Sequence, residues 1–159
     1  MLVVRDATIA DVPVLCRFNH DLAVHEGEAH LVTATEAEFR DALFAPRPIA
    51  GALIAESDGQ GVGSALWSHR FRAFSATEVM HVTTVFVVES ARRQGVGRAL
   101  FAELARRALA RRCTAVEWGA HASNDVALAF YRSLGAEART GGVRLVLTGD
   151  ALATTSALH

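Results

Sequence analysis

Cysteine is scarce in this chain: Cys16 and Cys113 are the two in 159 residues. That excludes a disulfide framework. Their apolar surroundings read as two buried thiols in a reducing compartment, ahead of a single bridge. No apolar run approaches the ~18 residues of a membrane span, and no signal segment precedes the first structured stretch, so a cytoplasmic protein is expected. The net charge of -1 supplies no general attraction for nucleic acid. The seven histidines form no His-x-x-x-His pair, the cysteines form no Cys-x-x-Cys pair, and His20, His25 and His30 recur at a spacing that does not share a helix face. No metal is expected on that ground. What is present suits one globular domain: the chain is 51% hydrophobic and 21% charged. At this length about 68–70% of the unfolded surface is buried on folding.

The pattern along the chain alternates between two periods. Leu2 to Arg5 is a strand candidate. Thr8 with Asp11 opens a helix carrying Val12, Leu15, Cys16, Leu22 and Ala23, with Pro13 in its first turn and Gly27 as its stop. Thr35-Glu36-Ala37-Glu38 is a capping box, and the helix it opens runs to Phe44, ahead of Pro46 and Pro48. Ala50–Ser57 and Val62–Ser68 read as a hairpin around Asp58-Gly59-Gln60-Gly61, and Val79–Val88 as the longest strand. A loop then leads to a helix over Gly97–Arg112, a strand over Thr114–Ala120, a helix over Asp125–Leu134 and a last strand over Val143–Leu147. This order predicts an α/β (α+β) mixed sheet in one domain over residues 1–150, with 151–159 a flexible tail.

The densest chemistry lies in Glu89-Ser90-Ala91-Arg92-Arg93-Gln94-Gly95-Val96-Gly97-Arg98. A strand enters a loop with two glycines, and an amphipathic helix leaves it. First-turn amides and the positive end of the helix dipole make an anion site, and glycine lets a diphosphate approach the backbone. Arg92, Arg93 and Arg98 add matching charge. The competing reading is a connection with a solvated basic edge. A dinucleotide fingerprint fails for want of a third glycine and an early parallel strand, and a P-loop fails for want of Gly-Lys-Ser/Thr.

Further on, Asn124 can cap a helix in which Ala127, Phe130 and Tyr131 share a face and Gly135 closes the end. By itself this is an ordinary capped helix. Together the two segments resemble the GNAT acetyltransferase superfamily. Its Arg/Gln-x-x-Gly-x-Gly/Ala pattern is met by Arg92, Gly95 and Gly97, and its Asn-x-x-Ala-x-x-Phe-Tyr pattern by Asn124, Ala127, Phe130 and Tyr131. Within the superfamily the chain is most similar to the spermidine/spermine (diamine) acetyltransferase-like group. Arg5-Asp6-Ala7-Thr8, Asp21-Leu22-Ala23 with Glu26, Asp41-Ala42-Leu43-Phe44 and Val62-Gly63-Ser64-Ala65-Leu66 carry that likeness.

The resemblance implies a mostly antiparallel central sheet with a V-shaped split, flanked by helices, and acetyl-CoA as cosubstrate. It implies that Val85, Phe86 and Val87 pair with the pantetheine arm through their backbones. Backbone amides of Arg93, Gln94, Gly95, Val96, Gly97 and Arg98, beside Arg92, would hold the diphosphate, and Asn124 would bind from the other side. Tyr131 would protonate the departing thiolate, and His25 and Glu26 would face the acceptor, a small-molecule amine (polyamine-like, an amino acid or similar) with a protein or peptide amine as the alternative. It also implies a homodimer. One element is missing: the subgroup's Glu-Asp pair is Thr83-Thr84 here. His81, two residues before Thr83, is then a candidate base, directly or through water, against the plainer reading of a packed strand histidine. An enzyme and a non-catalytic acetyl-CoA-binding module both fit these residues. A nucleic-acid reading rests on Arg92, Arg93, Arg98, Arg106, Arg107, Arg111 and Arg112, which accompany a helix that also carries Leu100, Phe101, Leu104 and Leu109 and so look like its solvated face.

Overall fold

The computed structural model describes residues 1–139 and 145–157. They divide into two compact units, Met1–His121 and Ala122–His159.

The first unit is built on a five-stranded sheet in sequential order: β1 (Leu2–Asp6), β2 (Gly51–Ser57), β3 (Gln60–Arg72), β4 (Thr77–Val87) and β5 (Val116–Glu117). The first four strands are antiparallel and β5 runs parallel to β4. Ala52, Leu53, Ile54 and Ala55 of β2 are all buried, the continuous apolar run of a strand covered on both faces. On one face Ala52 and Ile54 cluster with Leu15 of α1 (Val12–His25) and Leu43 of α2 (Glu36–Phe44). Period-two alternation sends Leu53 and Ala55 to the other face. Leu100, Phe101, Leu104 and Ala108 form the buried stripe of α3 (Val96–Ala110).

Local chemistry explains the helix ends. The expected capping box at Thr35 is formed, with Glu38 N–H donating to Thr35 Oγ1 (3.3 Å) and Thr35 N–H to Glu38 Oε2 (2.8 Å). The Thr8–Asp11 box opens a single 3₁₀ turn, Ile9–Asp11, and α1 begins after it with Pro13 in its first turn. At the far end Gly27 (φ 75°) closes α1: its N–H reaches Val24 O and that of Glu28 reaches Ala23 O, a Schellman motif.

Part of the charge is paired internally. Arg5 joins Asp11 and Glu56, Arg107 grips Asp6 (2.6 and 3.0 Å), and Glu103 accepts from Arg106 and Arg107. Bonding to Arg106 foremost, against the cost of burial, brings the Glu103 carboxyl from its ordinary 4.5 down to about 2. A carboxylate with a depressed folded pKa stabilises above its unfolded value, and that contribution is lost as pH falls through the folded one. Between pH 4.5 and 2, the Tm of Glu103→Gln should therefore fall less steeply than that of the parent, as a melting series across that window would read.

The second unit holds α4 (Asp125–Ser133) and α5 (Gly149–Ser156). Most of the tail after Asp150 lies in α5, whose residues are all exposed. Of the strand expected over Val143–Leu147, Val143 and Arg144 lie outside the described residues, and Leu145 to Leu147 are exposed and not in a strand.

Candidate active site

The strand expected over Thr114–Ala120 is reduced to Val116–Glu117, and this shapes the site. β5 pairs with β4 only at Met80↔Val116 and His81↔Glu117. β4 continues to Val87, paired on its other side with β3. From Val82 onward its second edge has no partner strand among the described residues, so backbone donors and acceptors line an opening. Val85 and Val87 are half-buried there and Phe86 is buried, its ring 5.3 Å from that of Phe18.

A β-bulge sits in this stretch. Leu66 pairs with Thr84 and Trp67 with Val82, which leaves Thr83 as the extra residue of β4. Thr83 is exposed and its Oγ1 donates to Leu66 O (3.2 Å). The hydroxyl proton is thus used, and its lone pairs are what it can offer to a water or an amine. His81 is half-buried with Nδ1 inside. It occupies the last β4–β5 pair, on the near side of the bulge. Strict alternation, which puts His81 and Thr83 on one face, does not carry across such an insertion.

Beyond β4 the chain makes one 3₁₀ turn, Glu89–Ala91, and then the glycine turn into α3. Arg93 (φ 60°) and Gly95 (φ 85°) both adopt the left-handed region, one at a cost and one freely. Two side chains hold the turn: Arg92 Nε donates to Val87 O (3.1 Å) and Gln94 Nε2 to Ser90 O (2.7 Å). Gly95 is the N-cap of α3, so no capping side chain competes for the helix's first amides. The first bond of the helix ladder is Ala99 N–H to Gly95 O (2.9 Å), and the first-turn amides from Val96 on lie outside that ladder. Arg92, Arg93, Gln94, Gly95 and Arg98 are exposed, Gly97 is half-buried, and Val96 is buried as the anchor. The anchor needs Gly63 on β3: a Cβ there would stand 2.8 Å from Phe86 O and 3.2 Å from Val96 Cγ1.

A splayed strand edge that leads into an uncapped, cation-rimmed helix start can hold a long ligand ending in a diphosphate. The acetyltransferase (GNAT) family profile matches residues 17–136. The chain belongs to that family. It is accordingly an acetyl-CoA-dependent N-acetyltransferase, with the sheet and flanking helices of the GNAT fold. A curated relative, the L-ornithine N5-acetyltransferase of Arabidopsis thaliana, is 25% identical over 201 residues, covering 98% of this chain and 88% of the relative. Two solved structures share the fold. One is an integron cassette protein from the mobile metagenome of V. cholerae (TM-score 0.79, 22% identity, 99% of this chain and 98% of that one). The other is an aminoglycoside acetyltransferase from an uncultured soil metagenomic sample in complex with sisomicin (TM-score 0.77, 17% identity, 92% and 97%).

The remaining GNAT motif falls in the second unit. Asn124 Oδ1 accepts from Ala127 N–H (3.0 Å), so the carboxamide oxygen caps α4. At the other end Ala136 N–H reaches Tyr131 O (3.1 Å) and Gly135 N–H reaches Arg132 O (2.9 Å), with Gly135 at φ 86°. This Schellman closure fixes the last turn, which carries Tyr131. Tyr131 is the one tyrosine in the sequence, half-buried, with its ring 5.4 Å from that of Phe130.

In the first unit, His25 ends α1 and Glu26 is its C-cap, both exposed. The structure adds two neighbours to Glu26 that sequence spacing does not suggest. His121 Nε2 lies 3.8 Å from Glu26 Oε2 and 3.7 Å from Glu28 Oε1. The Schellman turn at Gly27 brings the two carboxylates to one side, and His121 arrives from beyond β5.

Proposed function

We propose that this GNAT enzyme acetylates a primary amine of a small molecule by direct attack of the amine on the thioester of acetyl-CoA. The observation that carries this reading is the continuity of the open β4 edge with the uncapped start of α3. In it, backbone groups of Val85, Phe86 and Val87 hold the pantetheine arm. One amide of that edge polarises the thioester carbonyl and stabilises the developing oxyanion. Arg92 and the turn from Arg93 to Arg98 hold the diphosphate, and Asn124 contacts the arm. The amine's nitrogen bonds to the carbonyl carbon, the C–S bond breaks, and Tyr131 gives its proton to the departing sulfur. A phenol of pKa ~10 can serve a thiol of ~8.5 when held close. The proton released by an alkylamine (pKa ~10.4) passes to His81, or to a water held by Thr83.

Glu26, with His25 beside it, faces the cationic acceptor. The curated relative acts on ornithine and one structural neighbour is an aminoglycoside acetyltransferase, both of which favour a small, multiply charged amine. The pairing of Arg106, Arg107 and Arg111 with Glu103, Asp6 and Glu78 leaves little of that helix's charge for nucleic acid. No helix among the described residues is long and apolar enough to cross a membrane. We read residues 1–150 as one cytoplasmic domain that works as a homodimer.

A panel of ornithine, lysine, linear diamines and aminoglycosides, followed by release of free CoA thiol, tests the proposal. At least one small amine should be turned over well above hydrolysis. Binding of acetyl-CoA without turnover of any of them would instead place the acceptor outside these small amines, in a protein or peptide amine. Background from self-acetylated lysine is absent, because all 16 Lys/Arg positions are arginine.

A further inference from the structure

At the opposite end of β4 from the bulge, three side chains of three different elements converge. His69 comes from β3, Glu78 from β4 and Cys113 from the connection between α3 and β5. His69 Nδ1 lies 2.8 Å from Glu78 Oε1 and 3.8 Å from Cys113 Sγ, and the three ligand atoms all lie within 4.8 Å of one another. Cys113 is buried, while His69 and Glu78 keep about a third of their side chains in solvent. Local structure fixes each of them. Phe71 pairs with Glu78 and His69 with Met80 in the β3–β4 register, and Cys113 N–H donates to Ala108 O (2.8 Å) as α3 ends. Thr114 N–H then bonds Glu78 O (2.9 Å), tying the thiol's segment to the strand that carries the carboxylate.

We propose that His69, Glu78 and Cys113 form a binding site for a divalent zinc-class ion, with water in the fourth position. The donor set is imidazole nitrogen, carboxylate oxygen and thiolate sulfur, each an ordinary zinc ligand. Tetrahedral ligands at about 2.0 Å (N, O) and 2.3 Å (S) stand roughly 3.3–3.6 Å apart. The observed 3.8 Å between nitrogen and sulfur is close to that, and the 2.8 Å between nitrogen and oxygen opens by about half an ångström as an ion replaces the hydrogen bond. Arg111, whose Nε holds the same Glu78 oxygen, is the competing cation. The ion would clip β3, β4 and the start of β5 together at the end where β5 is paired, leaving the open end of β4 untouched. Sequence separation hides such a site: none of the three ligands shares a short motif with another.

The test uses the full chain with Cys16→Ser, so that Cys113 is the one thiol, stripped with a chelator and titrated with Co²⁺ at pH 7. One equivalent should raise a thiolate-to-cobalt charge-transfer band that zinc then displaces. The band should vanish in Cys113→Ser, affinity should fall at least tenfold in His69→Gln and Glu78→Gln, and Arg111→Ala should bind more tightly. Zinc at about 100 times its Kd should raise the Tm by about 5 °C or more in the parent and not in the ligand variants. No band in the parent, or a band that survives in Cys113→Ser, overturns the proposal. So does zinc affinity unchanged in His69→Gln, which holds even if Cys113→Ser fails to fold.

Discussion

Tyr131→Phe should lose about 10²–10⁴-fold in kcat while its KM for acetyl-CoA stays near that of the parent. The substitution removes one oxygen and keeps the ring. The ring contact with Phe130 is therefore preserved, and the closure of α4 runs through the backbone of Tyr131, not its side chain. Folding should be unaltered, which a melting curve checks. In the proposed role the hydroxyl supplies the proton for the departing sulfur, an interaction made as the C–S bond breaks and not in the ground state, so kcat and kcat/KM should fall together. A Tyr131→Phe enzyme that keeps more than half its kcat would place the proton donor elsewhere.

The second large effect concerns Gly97, the second residue of α3. Gly97→Asp should weaken acetyl-CoA binding about 30- to 1,000-fold without unfolding the protein. An acidic residue in the first turn favours a helix by about 0.3–1 kcal/mol, and leaving glycine adds a similar gain, so the Tm should hold or rise. The same carboxylate stands where the diphosphate is to lie. Like charges at about 4 Å near a protein surface cost up to ~4 kcal/mol, less once salt screens them. Gly97→Asn, of equal size and no charge, should lose far less. Equal losses in the two variants would make the effect one of bulk, and an unimpaired Gly97→Asp would remove the anion from this helix start.

Much of this was legible because its physics is local. The capping box at Thr35, the glycine stop of α1, the Asn124 cap and the turn from Arg92 into α3 each depend on a few consecutive residues, and each lies where the spacing puts it. The rest depended on partners far along the chain. Val, Trp and Thr over 114–120 read as a strand, yet a strand exists only where another runs beside it, and β4 accompanies β5 for two pairs. The bulge at Thr83 follows from the match between β3 and β4, which neither strand states alone. The hairpin extends to Arg72 and Thr77, past the expected Ser68 and Val79, because the two strands go on pairing through polar residues that carry no apolar alternation. His121 beside Glu26, and Cys113 beside His69 and Glu78, are juxtapositions that the sheet order creates. The absence of short metal motifs said nothing about the latter.

In the proposed reading the first turn of α3, opened by Gly95 and Gly97, holds the diphosphate of the acetyl donor. Isothermal titration of the wild-type protein with CoA and with S-acetyl-pantetheine, which shares the thiol arm and lacks the diphosphate, tests it directly. A one-to-one CoA complex should form at least 100-fold more tightly than that with the truncated ligand, and added salt should weaken it. No heat with CoA, or equal affinity for the two ligands, would contradict it.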